Sequence, residues 1–159
     1  MTTLTEGSKA PEIDLPTDNN GRFKLSDKKG EKVLVYFYPK DDTSGCTAES
    51  CSFSENIKSF EKLGVAIVGI SKCSVKKHDK FKAKYDLQFP LASDEEGDVC
   101  ERYGVWAEKS MYGRKYMGIE RSTFLIDENG RIEKIWSKVK VPGHTEDILS
   151  VLKGSKKAA

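Results

Sequence analysis

The sequence lacks the patterns that mark several common classes of protein. None of its four cysteines is spaced as C-x-x-C, the motif that thioredoxin-type disulfide oxidoreductases usually carry. Its longest apolar runs, VLVYFY and VAIVGI, are far shorter than the roughly 20 residues that a membrane-spanning helix requires. Its basic residues form no stripe interleaved with aromatic residues, so nucleic-acid binding is not expected. Internal repeats, low-complexity segments and flexible linkers are also missing.

The composition instead favours a single, well-solvated domain. The 159 residues are 37% hydrophobic and 33% charged, and the net charge is +2. A domain of about 150 residues buries roughly 68–70% of its unfolded surface, which is enough for a hydrophobic core. We therefore expect one domain over residues 1–159, with a frayed basic tail at residues 153–159.

The opening segment, MTTLTEGSKAPEIDL, contains no apolar stretch of the kind found in secretory signals. We therefore expect a cytoplasmic protein. In that compartment cysteines are more often reduced, catalytic or metal-bound than paired in structural disulfides.

Apolar runs alternate with helical patterns along the chain, which predicts an α/β fold. Lys32–Tyr38 and Val65–Ser71 are apolar almost throughout, as in strands buried on both faces of a sheet. Between them, apolar residues at helical spacing predict a helix over Cys46–Leu63. The other predicted elements are hairpins at Glu12–Asp27 and at Thr123–Ile126 with Arg131–Trp136, a strand at Phe89–Ala92, and helices at Val75–Tyr85, Asp94–Tyr103 and Thr145–Leu152. This order fits a thioredoxin-like fold, in which helices flank a mixed central sheet, with an N-terminal β-hairpin extension.

Cys46 occupies the most chemically informative position in the sequence, where a polar loop passes into a predicted helix. The unpaired N–H groups and the dipole at a helix start stabilise an anion, so this thiol is expected to be partly ionised at neutral pH. Thr43 is close enough in sequence to hydrogen-bond the sulfur or an incoming oxygen. Asp41 and Asp42 would oppose ionisation if they faced the thiol, so we expect both to point to solvent.

Ionisation alone does not make a cysteine a fast nucleophile. For a cysteine whose pKa falls from about 8.5 to about 6, the thiolate fraction at pH 7 rises roughly 30-fold. Its nucleophilicity falls by roughly 13-fold over the same interval, which leaves a net gain of about two-fold. A reactive site must therefore also supply fixed hydrogen-bond donors to the atoms under attack, as Thr43, backbone N–H groups and a distant arginine could do.

Two overlapping motifs surround this cysteine, Pro39-x-x-x-Thr43-x-x-Cys46 and Cys46-Thr-x-Glu49-x-Cys51. Together they resemble the active-site pattern of peroxiredoxins, and in particular of the bacterioferritin comigratory protein branch, also called peroxiredoxin Q. Ser44 departs from that branch, which usually has proline at this position. Further similarity, in the same order and with compatible spacing, is carried by GSKAPE from Gly7, YGVWAEK from Tyr103 and GIERSTFLID from Gly118.

The resemblance implies a thiol-dependent peroxidase that reduces hydrogen peroxide and organic hydroperoxides. It implies that Cys46 is the peroxidatic cysteine and that Pro39, Thr43 and Arg121 complete the peroxide site. It also implies that the Cys46 sulfenic acid condenses with the resolving Cys51, and that thioredoxin or a similar dithiol reduces the resulting disulfide. By the same resemblance the protein is a monomer that requires no metal, haem or flavin.

A Cys46–Cys51 disulfide would require a change in the predicted helix. In an intact helix the two Cα atoms would be about 8.6 Å apart, and the side chains would point about 140° apart. A disulfide needs Cα atoms closer than about 7 Å, so the first turns would have to unwind. Ser50 and Ser52 beside Cys51, and the absence of large apolar residues from Thr47 to Ser52, favour such unwinding. Cys73 remains an alternative resolving cysteine, and a one-cysteine peroxidase is a further alternative.

Three other kinds of protein compete with this interpretation. Cys46, Cys51, Cys73 and His78 could supply four zinc ligands, so a zinc-binding module is one rival. A disulfide oxidoreductase of thioredoxin type is the second, although the C-x-x-C motif is missing. A thiol-based redox sensor or holdase without enzymatic turnover is the third.

Several other side chains are expected to have structural roles. His78 lies on a lysine-rich predicted helix and is expected to be exposed to solvent. Cys100 is expected to be a buried apolar thiol, Trp106 a packing anchor and His144 a cap of the last helix. For Glu49 two roles remain open, that of a carboxylate in the first helical turns and that of a partner that positions the arginine.

Overall fold

The structure is a computed structural model that describes residues 4–158, with side chains described as far as residue 154. Nine strands and five α-helices follow one another in this part of the chain. The strands are β1 (Asp14–Thr17), β2 (Gly21–Lys24), β3 (Lys32–Phe37), β4 (Val65–Ser71), β5 (Leu91–Ser93), β6 (Trp106–Met111), β7 (Arg114–Ile119), β8 (Ser122–Ile126) and β9 (Ile132–Trp136). The helices are α1 (Ser44–Glu55), α2 (Ile57–Lys62), α3 (Val75–Tyr85), α4 (Val99–Arg102) and α5 (His144–Ala158).

Seven of these strands form the central sheet, in the order β2-β1-β5-β4-β3-β8-β9. Strands β3, β4 and β5 run parallel, whereas β8 pairs antiparallel with β3 and β9 antiparallel with β8. This is the mixed sheet flanked by helices that the sequence predicts. Strands β6 and β7 form a separate two-stranded sheet. No helix within residues 4–158 has both the length and the apolar character needed to cross a membrane.

The central strand β3 is covered by hydrophobic residues on both faces of the sheet. Val33, Val35 and Phe37 point into one buried cluster, together with residues of the N-terminal hairpin and of α4. Leu34 and Tyr36 point into a second cluster, which contains residues of α1, α2, α3 and α5. Because side chains alternate along a strand, a strand covered on both faces must be apolar throughout, as predicted.

The structure corrects two predicted helices and adds one hairpin. The single helix predicted over Cys46–Leu63 is divided at Asn56, whose φ of −102° and ψ of 12° separate α1 from α2. The helix predicted over Asp94–Tyr103 is reduced to α4, because the buried Asp94 carboxylate accepts hydrogen bonds from the N–H groups of Val99 and Cys100. The β6–β7 hairpin was not predicted, because much of it is exposed and its residues show no clear alternation.

The last helix extends beyond the predicted Thr145–Leu152 and includes Ala158. Fraying of the tail at residues 153–159 stays a prediction, and residue 159 lies outside the described part of the chain.

Candidate active site

Cys46 lies near the start of α1, shortly after the chain leaves the central strand β3. Thr43 is the residue that precedes the helix, and its extended backbone, with φ −89° and ψ 155°, turns the chain into α1 at Ser44. The first helical hydrogen bond runs from Thr47 N to Thr43 O at 2.8 Å. Cys46 is therefore in the first turn, where backbone N–H groups have no helical acceptor. Its side chain is only 1% exposed.

Arg121 reaches Cys46 although the two residues are 75 positions apart in sequence. The antiparallel pairing of β3 with β8 places Phe37 opposite Ser122, so the residue before β8 lies beside the loop that follows β3. Arg121 Nη2 donates to Cys46 Sγ at 3.3 Å. Gly45 leaves room for this contact, because a Cβ atom there would lie 3.2 Å from the same nitrogen.

Glu49 is the second partner of this arginine. Arg121 Nη1 donates to Glu49 Oε1 at 2.7 Å, so the guanidinium group bridges a carboxylate and a thiol on the same helix. Of the two roles left open by the sequence, the structure favours positioning of the arginine. Glu49 is 1% exposed, and its Oε2 atom has no hydrogen-bond partner. Burial raises the pKa of Glu49 to about 7, although the charge of Arg121 acts in the opposite direction.

This raised pKa predicts a specific pH dependence of stability. The folded state favours the protonated carboxyl, so Glu49 lowers the free energy of unfolding progressively as the pH rises from about 4.5 to about 7. The difference is on the order of 3 kcal/mol. We expect the free energy of unfolding of Glu49→Gln, relative to that of the parent protein, to be higher at pH 8 than at pH 4.5 by about this amount. Chemical denaturation at the two pH values measures the difference.

The exposed Glu55, on the same helix, provides the control. Glu55→Gln should show no comparable change in relative stability between the two pH values. A pH-independent stability difference between Glu49→Gln and the parent protein would contradict the burial of an ionisable carboxyl at this position.

The loop before α1 differs from the sequence expectation at Asp41. This residue was expected to point to solvent, but it is buried, and its carboxylate binds Tyr38 Oη at 2.6 Å and His78 Nδ1 at 2.6 Å. His78, also expected in solvent, has no exposed surface. The expectation failed because a carboxylate can be buried when its oxygens receive hydrogen bonds. Asp42 is exposed, as expected, and accepts a hydrogen bond from Lys84 Nζ at 2.8 Å.

Two other residues implied by the resemblance flank the thiol in sequence. Thr43 is exposed, and its hydroxyl donates to the carbonyl oxygen of Lys40 at 2.9 Å rather than to the sulfur. Pro39 is half-buried directly after Tyr38, where the chain leaves the sheet.

All four cysteines are free thiols, and their environments differ. Cys51 is half-buried on α1, and burial raises its pKa. Cys73 is also half-buried, and its sulfur accepts a hydrogen bond from Asp41 N at 3.4 Å. Cys100 is fully buried, as predicted, and burial raises its pKa far above the ordinary value.

The structure does not support the zinc-site alternative. Both ring nitrogens of His78 already have partners, Asp41 Oδ2 and the carbonyl oxygen of Ala92. Within the described residues, no group of three or more histidine, cysteine, aspartate or glutamate side chains is arranged to hold a metal ion.

One charged residue near the site was not singled out from the sequence. Lys109 lies on β6, and burial followed by the charge of Arg121 lowers its pKa, while Cys46 and Glu120 act in the opposite direction. No spacing rule links Lys109 to Cys46, because the hairpin that carries it was not predicted.

Comparison with known proteins identifies the family of the chain. The AhpC/TSA family model matches residues 7–135. The chain is 53% identical to a putative peroxiredoxin Bcp of Coxiella burnetii, over 94% of this chain and 99% of that one. It is 48% identical to peroxiredoxin Bcp of Bacillus subtilis, with 95% and 96% of the two chains covered.

Among solved structures, a cysteine-to-serine mutant of PrxQ from Xylella fastidiosa superposes with a TM-score of 0.92. It is 38% identical in sequence, and the match covers 98% of this chain and 99% of that one. These relatives are thioredoxin-fold peroxiredoxins, as the resemblance implied. The chain therefore belongs to the AhpC/TSA family, in its Bcp or peroxiredoxin Q branch, and is a thiol-dependent peroxidase.

Proposed function

We propose that Cys46 is the thiol that attacks the peroxide, that Arg121, Thr43 and Pro39 form the site around it, and that Cys51 resolves the oxidised sulfur. The observation that carries this proposal is the hydrogen bond from Arg121 Nη2 to Cys46 Sγ, 3.3 Å, in the first turn of α1. A guanidinium group at this position is in contact with the sulfur and can also donate to a peroxide oxygen beside it.

The first step forms an S–O bond and breaks the O–O bond. The Cys46 thiolate attacks one peroxide oxygen and becomes a sulfenic acid. The second oxygen leaves with the electron pair of the broken bond and, once protonated, becomes water or an alcohol. Arg121 stabilises the negative charge that passes from sulfur to oxygen, and the exposed Thr43 hydroxyl can turn from Lys40 to the peroxide.

The second step joins Cys46 to Cys51 with loss of water. Both residues are on α1, where helical geometry holds their Cα atoms about 8.6 Å apart, too far for a disulfide. The first turns of α1 must therefore unwind. This breaks the hydrogen bond of 2.7 Å between the buried Ser50 and Tyr36 hydroxyls. Phe53, which has no exposed surface, keeps the C-terminal part of the helix in the core.

An external dithiol then reduces the disulfide in two exchange steps and is itself oxidised. We propose that this dithiol is thioredoxin or a similar protein and that the enzyme works as a cytoplasmic monomer. Organic hydroperoxides are proposed as substrates beside hydrogen peroxide. In support, a solved Bcp relative from Xanthomonas campestris is named for its alkyl peroxide reduction activity.

Stoichiometric oxidation of the wild-type protein tests this sequence of steps. After one equivalent of hydrogen peroxide, peptide mapping should find a Cys46–Cys51 disulfide. Far-UV circular dichroism should show lost helix, and hydrogen exchange should increase over residues 44–52. In Cys51→Ser, which cannot form this disulfide, the helical signal should persist after oxidation. A disulfide through Cys73, or unchanged exchange in the oxidised wild type, would refute the proposed resolution.

A further inference from the structure

A buried hydrogen-bonded cluster lies directly beneath the loop that leads to Cys46. It joins Tyr38 directly after β3, Asp41 in the loop and His78 on α3. His78 Nδ1 lies 2.6 Å from Asp41 Oδ2, and His78 Nε2 lies 2.9 Å from the carbonyl oxygen of Ala92 on β5. The peroxidase chemistry described above uses none of these side chains.

The partners of His78 determine where its hydrogens are. A carbonyl oxygen can only accept, so Nε2 must carry the hydrogen that it donates to Ala92. Burial raises the pKa of Tyr38 well above its ordinary value, so its hydroxyl keeps its hydrogen and donates to Asp41 Oδ1. The remaining hydrogen of the cluster lies between His78 Nδ1 and Asp41 Oδ2, so the buried imidazole and the buried carboxyl group are held to each other.

The hydrogen bond between His78 and Asp41 holds the loop at a single residue, Asp41. Asp41 is held by both carboxylate oxygens, and its N–H group donates to Cys73 Sγ at 3.4 Å. Asp42 continues the loop in the left-handed region, with φ of 62°, and Thr43 follows it directly before α1. The position of Asp41 determines the direction in which the chain enters α1. It therefore also determines the position of the helical turn that carries Cys46.

We propose that His78 is a positioning residue for the peroxidatic turn, acting through Asp41. The inference rests on the proposed unwinding of α1 in each catalytic cycle. The anchored loop favours the folded turn, in which Cys46 meets Arg121, over the unwound turn, in which Cys46 meets Cys51. Weakening the contact between His78 and Asp41 must therefore slow the attack on peroxide and accelerate disulfide formation. A general loss of stability would not change the two rates in opposite directions.

Stopped-flow measurement of the two rates provides the test. His78→Gln and Asp41→Asn each weaken the hydrogen bond between the two side chains with little change in shape. We expect either variant to lower the second-order rate constant for Cys46 oxidation about ten-fold and to raise the rate of disulfide formation several-fold. Asp42→Asn is the matched control, because it removes an exposed ion pair between the same loop and α3. It should leave both rates within two-fold of wild type.

Equal changes in both rates, or no change in either, would overturn the proposal. A parent protein that never forms the Cys46–Cys51 disulfide would instead refute the proposed function, so the two failures are distinguishable. Should the variants fail to fold, ¹⁵N-histidine NMR of the wild type supplies a second test, since the chain has only two histidines. In the reduced protein, Nε2 of His78 should carry a hydrogen that exchanges slowly with solvent, because it donates to the buried carbonyl oxygen of Ala92. An Nε2 atom without a hydrogen, or with one that exchanges as fast as in a solvent-exposed imidazole, would refute the buried cluster and with it the proposal.

Discussion

Cys46→Ser is expected to reduce peroxide turnover to the level measured without enzyme. A serine hydroxyl stays protonated at neutral pH even beside Arg121, and an oxygen nucleophile does not form the sulfenic acid that the cycle requires. The loss should appear with hydrogen peroxide and with organic hydroperoxides, in an assay that follows oxidation of a dithiol reductant.

The control for this loss is Cys73→Ser, which also removes a partly buried thiol close to the active-site loop. It should keep most of the turnover. Circular dichroism of Cys46→Ser should match the parent protein, because serine is smaller than cysteine and fits the same helical position. Turnover retained by Cys46→Ser would assign the attack to another thiol.

Arg121→Gln is expected to lower kcat/KM by about 10²–10³-fold, the usual cost of removing one donor that stabilises developing negative charge. Arg121→Lys should restore only a small part of this loss. An ammonium group is a single point of charge and cannot span Cys46 Sγ and Glu49 Oε1 as the two guanidinium nitrogens do. Steady-state kinetics over a range of peroxide concentrations measures both variants.

Arg114→Lys, on the exposed β7 strand, should leave kcat/KM unchanged and serves as the matched control. Removal of Arg121 also withdraws the positive charge that opposes protonation of Glu49, so that carboxyl should become neutral and the fold should persist. A loss smaller than about three-fold for Arg121→Gln would show that this contact is structural.

The sequence could predict the parts of the site that depend on local patterns or on a family motif. The apolar run at Lys32–Tyr38 identifies a buried strand, and the polar loop behind it identifies a helix start at which a thiol can ionise. The motif Arg121-Ser-Thr-Phe identifies the arginine by resemblance. The pairing of β3 with β8 explains the agreement, because it places the arginine beside the loop.

The parts that sequence could not predict depend on contacts between distant segments. From the sequence, Asp41 and His78 are both expected to be exposed to solvent. They form a hydrogen bond only because α3 packs against β5 and the loop. The exposed Met111 and Tyr112 near the tip of the β6–β7 hairpin similarly give no pattern of burial that would identify two strands. The break at Asn56 falls inside a continuous helical pattern and depends on local backbone geometry.

Trapping of the sulfenic acid in Cys51→Ser tests the role of Cys46 most directly. With Cys51 removed, the oxidised sulfur should persist long enough to react with a dimedone probe after addition of one equivalent of hydrogen peroxide. Mass spectrometry should then find the adduct on Cys46 alone, at close to one per chain. An adduct distributed over Cys73 and Cys100, or a Cys46 that stays reduced while peroxide is consumed, would show that a different group attacks the peroxide.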